Sequence, residues 1–153
     1  MLKMSRIFIL ALAMTCIASG SALAQTGFGL RAGATADPNQ FHFGGHYSSD
    51  QIIYNLVFRP NLEIGIGSNI TMIAANLEFA YLIPIPDADF SAYIGAGPAL
   101  VYRKFGESIA GNSSTGGGFN ILLGLEHRNG LFAEMKVGAI DSPDFKFTIG
   151  TTF

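Results

Sequence analysis

The segment Phe145-Lys-Phe-Thr-Ile-Gly-Thr-Thr-Phe153 frames the reading of the whole chain. Alternate side chains of a strand point to opposite faces. Phe145, Phe147, Ile149, Thr151 and Phe153 therefore share one face, and Lys146, Thr148, Gly150 and Thr152 share the other. A half-buried strand of a soluble protein has the same period. Here the stretch closes on an aromatic residue with no polar tail behind it.

At the other end, Lys3 and Arg6 precede an apolar run from Ile7 to Ile17, and Ala22-Leu23-Ala24 fits a small-residue cleavage site. Residues 1–24 read as a cleaved secretory signal peptide and residues 25–153 as one mature domain. The apolar run is shorter than the roughly 20 residues of a membrane-spanning helix, and no later run reaches that length. Cys16 lies inside the signal, so no disulfide is expected. Without Lys3 and Arg6 the mature chain keeps seven basic residues against eleven acidic ones, which speaks against nucleic acid as a partner. Only 13% of residues are charged, against about 25% in an ordinary soluble domain. Much of the surface is therefore expected to face something other than water.

The alternation of the final stretch recurs along the chain. Phe28, Leu30, Ala32 and Ala34 alternate with Gly29, Arg31 and Gly33; after a turn at Asp37-Pro38-Asn39, Phe41, Phe43 and Tyr47 alternate with His42, Gly44 and His46. Extended structure is expected to resume near Tyr54, and in the third strand Leu62, Ile64 and Ile66 alternate with Asn61, Glu63, Gly65 and Gly67, Pro60 being tolerable only near a strand end or bulge. The fourth sets Ile73, Ala75, Leu77, Phe79 and Tyr81 against Met72, Ala74, Asn76, Glu78 and Ala80. The fifth covers about Phe90 to Arg103. A polar connection, Lys104 to Thr115, precedes a sixth strand with Phe119, Ile121, Leu123 and Leu125 opposite Asn120, Leu122, Gly124 and Glu126. Arg128-Asn129-Gly130 reads as a hairpin turn, since Asn-Gly accepts positive φ. Leu131, Ala133, Met135 and Val137 alternate with Phe132, Glu134, Lys136 and Gly138 before the last strand. Eight strands with short connections predict an all-β, up-and-down antiparallel barrel, which leaves no open sheet edge.

Alternation alone leaves open which face is inside. The polar parity carries ten glycines, from Gly29 and Gly33 to Gly138 and Gly150. Glycine weakens a solvated strand but makes room inside a narrow barrel. The same parity carries Arg31, Arg103, Lys136 and Lys146 against Glu63, Glu78, Glu126 and Glu134, four against four, as an enclosed network requires. Aromatic residues gather at both sets of strand ends, with Phe28, Tyr47, Phe79, Tyr81, Phe90 and Phe153 at one and Phe41, Tyr102, Phe119 and Phe145 at the other. Two such girdles bracket a lipid-facing band.

On these features the mature chain resembles the small eight-stranded outer-membrane β-barrels of the OmpA/OmpX-like, porin-like kind. The resemblance implies a transmembrane barrel in the outer membrane with both termini in the periplasm and connections near Pro38, Ser68, Glu107 and Pro143 outside the cell. It further implies Phe153 as a C-terminal signal for the barrel assembly machinery, outer-membrane lipid as surroundings, a monomer, and no cofactor. Larger members carry a periplasmic peptidoglycan-binding domain after the barrel, which is not expected here. The Lys104–Thr115 connection is the expected contact for an external ligand. The alternatives are a lipid A-modifying enzyme and a soluble, lipocalin-like barrel with an apolar lumen.

Chemistry-bearing patterns are sparse. His42 and His46 sit four residues apart on a strand, about 13 Å at ~3.3 Å per residue, too far to share an ion. The His-Ser signature of a deacylase is missing at His127-Arg128-Asn129, and Ser108, Ser113 and Ser114 have no histidine beside them. Gly27-Phe28-Gly29 and Gly95-Ala96-Gly97-Pro98 precede no predicted helix and so lack phosphate-binding geometry.

The outward parity is directly testable. Arginine at Leu77 or Leu123 is expected to cost about 2–4 kcal/mol at mid-membrane, whereas at Asn120 packing and charge decide the outcome. Equal tolerance at both parities in a lipid folding assay would contradict the assignment.

Overall fold

The computed structural model describes residues 26–106 and 113–153; the predicted signal peptide lies outside them. The described residues form nine strands. These are β1 (Gly27–Ala36), β2 (Gln40–Ser48), β3 (Gln51–Ile53), β4 (Leu56–Gly67), β5 (Ile70–Pro84), β6 (Phe90–Phe105), β7 (Ser113–His127), β8 (Leu131–Ile140) and β9 (Phe145–Thr152). All neighbours are antiparallel, and β1 pairs with both β2 and β9 while β2 pairs with β4. Eight strands thus close into a barrel, and β3 is a short addition to the edge of β4.

Closure can be followed residue by residue. Starting at Leu56, the directly opposed partners are Tyr81, Ile94, Leu123, Met135, Phe147, Ala34 and Phe41, and the circuit returns to β4 at Ile66. The return point lies ten residues beyond the start. A stagger of that size tilts the strands by roughly 40°, within the range for closed barrels. Every residue on this spiral is apolar and faces outward.

Burial is inverted relative to a water-soluble protein. Leu77, Leu123, Ile121 and Ile149 are each about half exposed, while Arg31, Glu63, Glu78, Glu126, Glu134, Lys136 and Lys146 are buried. This excludes the alternative of a soluble barrel with an apolar lumen. The interior is not polar throughout, however. Val57, Ala80, Leu82, Tyr93 and Leu122 form one apolar cluster, and Met72, Ala74, Ala99 and Val101 form another. Both lie on the wall from β4 to β7, one toward each end.

Details of the strands refine the sequence-based expectation. β4 starts at Leu56, close to the expected return to extended structure near Tyr54, and runs through Pro60, because the proline nitrogen falls where β2 pairing ends at Asn61 and before Ser49 N–H reaches Phe58 O (2.9 Å). β6 and β7 run on to Phe105 and from Ser113, with Lys104 opposite Ser113, so the Lys104–Thr115 connection is shorter than expected. Its remaining residues 107–112 lie outside the described residues. Thr151, expected on the outward face, is buried between its larger opposed partners Leu30 and Leu131.

The inward glycines make room for particular neighbours. A Cβ at Gly124 would fall 2.3 Å from the Tyr93 ring, and one at Gly150 would fall 2.5 Å from the Phe132 ring. At Gly97 it would lie 2.0 Å from the carbonyl oxygen of Leu77 and 2.7 Å from Cα of Glu78. Backbone cannot yield as a side chain can. Gly97→Val is therefore expected to destabilise the barrel by about 1–3 kcal/mol or more. Gly117, where an added Cβ would meet nothing within 4 Å, should accept alanine within about 0.5 kcal/mol. Urea unfolding midpoints of the two variants in detergent micelles check the contrast.

Candidate functional site

The inward residues of β1, β2, β8 and β9 meet those of β4, β5 and β7 across the lumen. Glu63 on β4 is the hub. Its carboxylate lies 2.5 Å from Lys146 Nζ, 3.2 Å from Arg31 and 3.8 Å from Lys136 Nζ. Lys136 and Lys146 are directly opposed on β8 and β9, an arrangement that destabilises a strand pair unless negative charge stands between them. Glu63 supplies that charge from the opposite wall.

The other pairs brace the same space. Arg31 also reaches Glu134 at 3.2 Å, and Lys136 lies 2.7 Å from Glu78 and 3.7 Å from Glu134. Tyr93 donates its hydroxyl hydrogen to Glu134 at 3.0 Å. Glu78 accepts from Asn61 Nδ2 at 2.7 Å and Asn120 Nδ2 at 3.1 Å; Asn76 donates to Asn61 and accepts from Asn120. Toward the end that carries the termini, Arg59 pairs with Glu126, is hydrogen-bonded to Ser48, and lies over the Tyr93 ring at 4.7 Å. The two lumenal histidines engage separate threonines. His42 is hydrogen-bonded to Thr35 (2.8 Å) and Thr148 (2.9 Å), and His46 to Thr152 (2.9 Å).

Of the eight charged residues read from the sequence, the structure brings seven together: Arg31, Glu63, Glu78, Glu126, Glu134, Lys136 and Lys146. Arg103 is a correction. It sits two residues from the end of β6, above the network, and donates to the carbonyl of Asp141 across the mouth. Arg59 takes the fourth cationic place. It shares the parity of Asn61 and Glu63, a signal present in the sequence on the other side of Pro60 from the alternating run Asn61 to Gly67. Phe153 lies at the outer rim, where its N–H donates to Phe28 O (2.8 Å) and adds to the β1–β9 seam.

The two mouths differ. At the far end Ser142 and Pro143 fold inward and are buried, in space that the glycines of β7 and β8 leave; a Cβ at Gly118 would fall 2.2 Å from Ser142 Oγ. At the terminal end a polar cavity of about 170 Å³, lined by residues including Thr26, Ser48, Asp50 and Leu82, reaches Arg59. Among the described residues no group of three or more potential metal-ligating side chains comes together.

No protein-family model and no curated protein sequence matches the chain. Among solved structures it is similar to the N-terminal β-barrel domain of Pseudomonas aeruginosa OprF, with a TM-score of 0.58 and 13% identity over 84% of this chain and 96% of that one. It is likewise similar to Neisserial surface protein A (NspA), with a TM-score of 0.57 and 14% identity over 82% of this chain and 94% of that one. At such identities the likeness is one of fold.

The Arg59–Glu126 pair gives a quantitative test of the lumen. Glu126→Ala leaves a buried guanidinium short of its partner and is expected to cost about 3–5 kcal/mol, whereas adding Arg59→Met to it should recover most of that loss. A double-mutant cycle of urea unfolding in lipid vesicles measures the coupling.

Proposed function

We propose that this chain is an integral outer-membrane β-barrel protein with a structural, envelope-stabilising or surface-interaction role, its lumen closed by the polar network. The observation that carries this reading is the inverted burial. A closed barrel whose charged residues are inside and whose Leu, Ile and Phe side chains face out is matched to a hydrocarbon surround. The two solved barrels of similar fold support the setting. Aromatic pairs mark one edge of the outward band, with Phe28 against Tyr47 at 5.1 Å and Phe58 against Phe79 at 5.0 Å.

Size and charge together support a closed lumen. Eight strands leave an interior just wide enough for side chains to fill, and here ion pairs link opposite walls between two apolar clusters. The Thr–His hydrogen bonds have the chemical elements of a nucleophile and base, but they lie in this packed interior, out of reach of a lipid substrate. A non-enzymatic role is therefore favoured, with contacts to envelope or external partners made through the connections at the far end.

The mature protein is expected to fractionate with outer membranes, to migrate differently in gels before and after heating, and to be electrically silent in planar bilayers. Large, steady, porin-like conductance would overturn the closed lumen. Stable aqueous solubility without detergent would overturn the membrane setting.

A further inference from the structure

The three connections at the terminal end differ in chemistry. Those joining β5 to β6 and β7 to β8 carry Asp87 and Asp89, and Arg128, the last two paired at 3.0 Å. The β2–β4 connection is different. Its one charged residue, Asp50, stands at its start and accepts from the Thr26 hydroxyl at 3.0 Å; from Gln51 to Phe58 no residue is charged, and Ile52, Ile53 and Tyr54 are 56%, 65% and 81% exposed.

This tip is built rather than loose. β3 pairs with β4 through Gln51 opposite Val57 and Ile53 opposite Leu56. Asn55, with φ of 60°, turns the chain, its N–H donates to Gln51 Oε1 (3.1 Å), and its carbonyl accepts from Leu82 N–H (2.8 Å). The register shifts between Gln51, which stands opposite inward Val57, and Ile53, which stands opposite Leu56; directly opposed residues share a face, so beyond the shift Ile53 extends the outward spiral by one strand past Leu56 and Tyr81. The tip therefore continues the apolar band at the level of its terminal-end aromatic edge, at the end of the barrel where Ile83 and Ile85 are also exposed.

We infer that the Ile52-Ile53-Tyr54 tip is a lipid anchor, seated in the boundary between headgroups and acyl chains of the leaflet at the terminal end. The inference rests on the membrane reading above. Continuity with the lipid-facing band and the absence of charge from Gln51 to Phe58 identify the occupant as the bilayer itself. Isoleucine contributes apolar area, and a tyrosine ring suits a boundary that is greasy on one side and wet on the other.

The chain contains no tryptophan, so single-tryptophan variants report cleanly. Tyr54→Trp and, as a mid-band reference, Leu123→Trp are folded into phosphatidylcholine vesicles carrying bromine either near the carbonyl or near the methyl end of the acyl chains. Folding is confirmed by the heat-dependent gel shift. The anchor requires Trp emission of the Tyr54→Trp variant to be blue-shifted and mostly lost with bromine near the carbonyl, less so with bromine near the methyl end. The reference should show the reverse preference. If the reference is quenched by bromolipid while the Tyr54→Trp signal responds only to aqueous iodide, the anchor is overturned and the membrane barrel stands. If the Tyr54→Trp signal is shielded from both quenchers, a protein surface or second copy covers the tip and the lipid assignment fails. If neither variant is quenched by bromolipid, the membrane reading falls and the anchor with it.

Discussion

Glu63 holds together charges that would otherwise repel. Lys136 and Lys146 face each other on neighbouring strands, and Arg31 stands on β1, the next strand beyond β9, all buried. Three cations enclosed without counter-charge would carry a desolvation penalty of several kcal/mol each. One carboxylate from the facing wall lies against all three, while Glu78 and Glu134 compensate what remains. Each wall of the barrel thus needs the other, and the ionic contacts act as cross-braces where a soluble protein would have an apolar core.

Room for these long side chains comes from glycine. Inward positions alternate between residues that reach across the lumen and residues that have nothing to offer but space, as where Tyr93 lies over Gly124 and Phe132 over Gly150. A chain rich in glycine would ordinarily lose strand stability. In a closed barrel every strand has two paired neighbours, and the ladder offsets that loss. The two apolar clusters then complete the filling on the β4–β7 wall, so polar and apolar matter share the lumen by side as well as by height.

Much of the fold was legible because strand alternation is a local property. The outward placement of Leu123 and the inward placement of Asn120 follow from their neighbours alone, and so does the turn at Asn129-Gly130, where Gly130 takes φ of 90°. Errors arose where one local signal masked another. Pro60, read as a strand end or bulge, concealed Arg59 on its other side, although the proline only occupies a gap between two partners of β4. Arg103 had the correct parity but stood too near the end of its strand, so its height, rather than its face, kept it out of the network.

The sequence by itself determined that the chain alternates as barrel strands and which parity carries the charges. Pairings among those charges were decided by the tertiary structure. Parity repeats every two residues and is set by the covalent chain. Whether Glu63 meets Lys146 or Arg59 meets Glu126 depends instead on the ten-residue stagger accumulated around the whole sheet, and on a lumen narrow enough for side chains from opposite walls to touch.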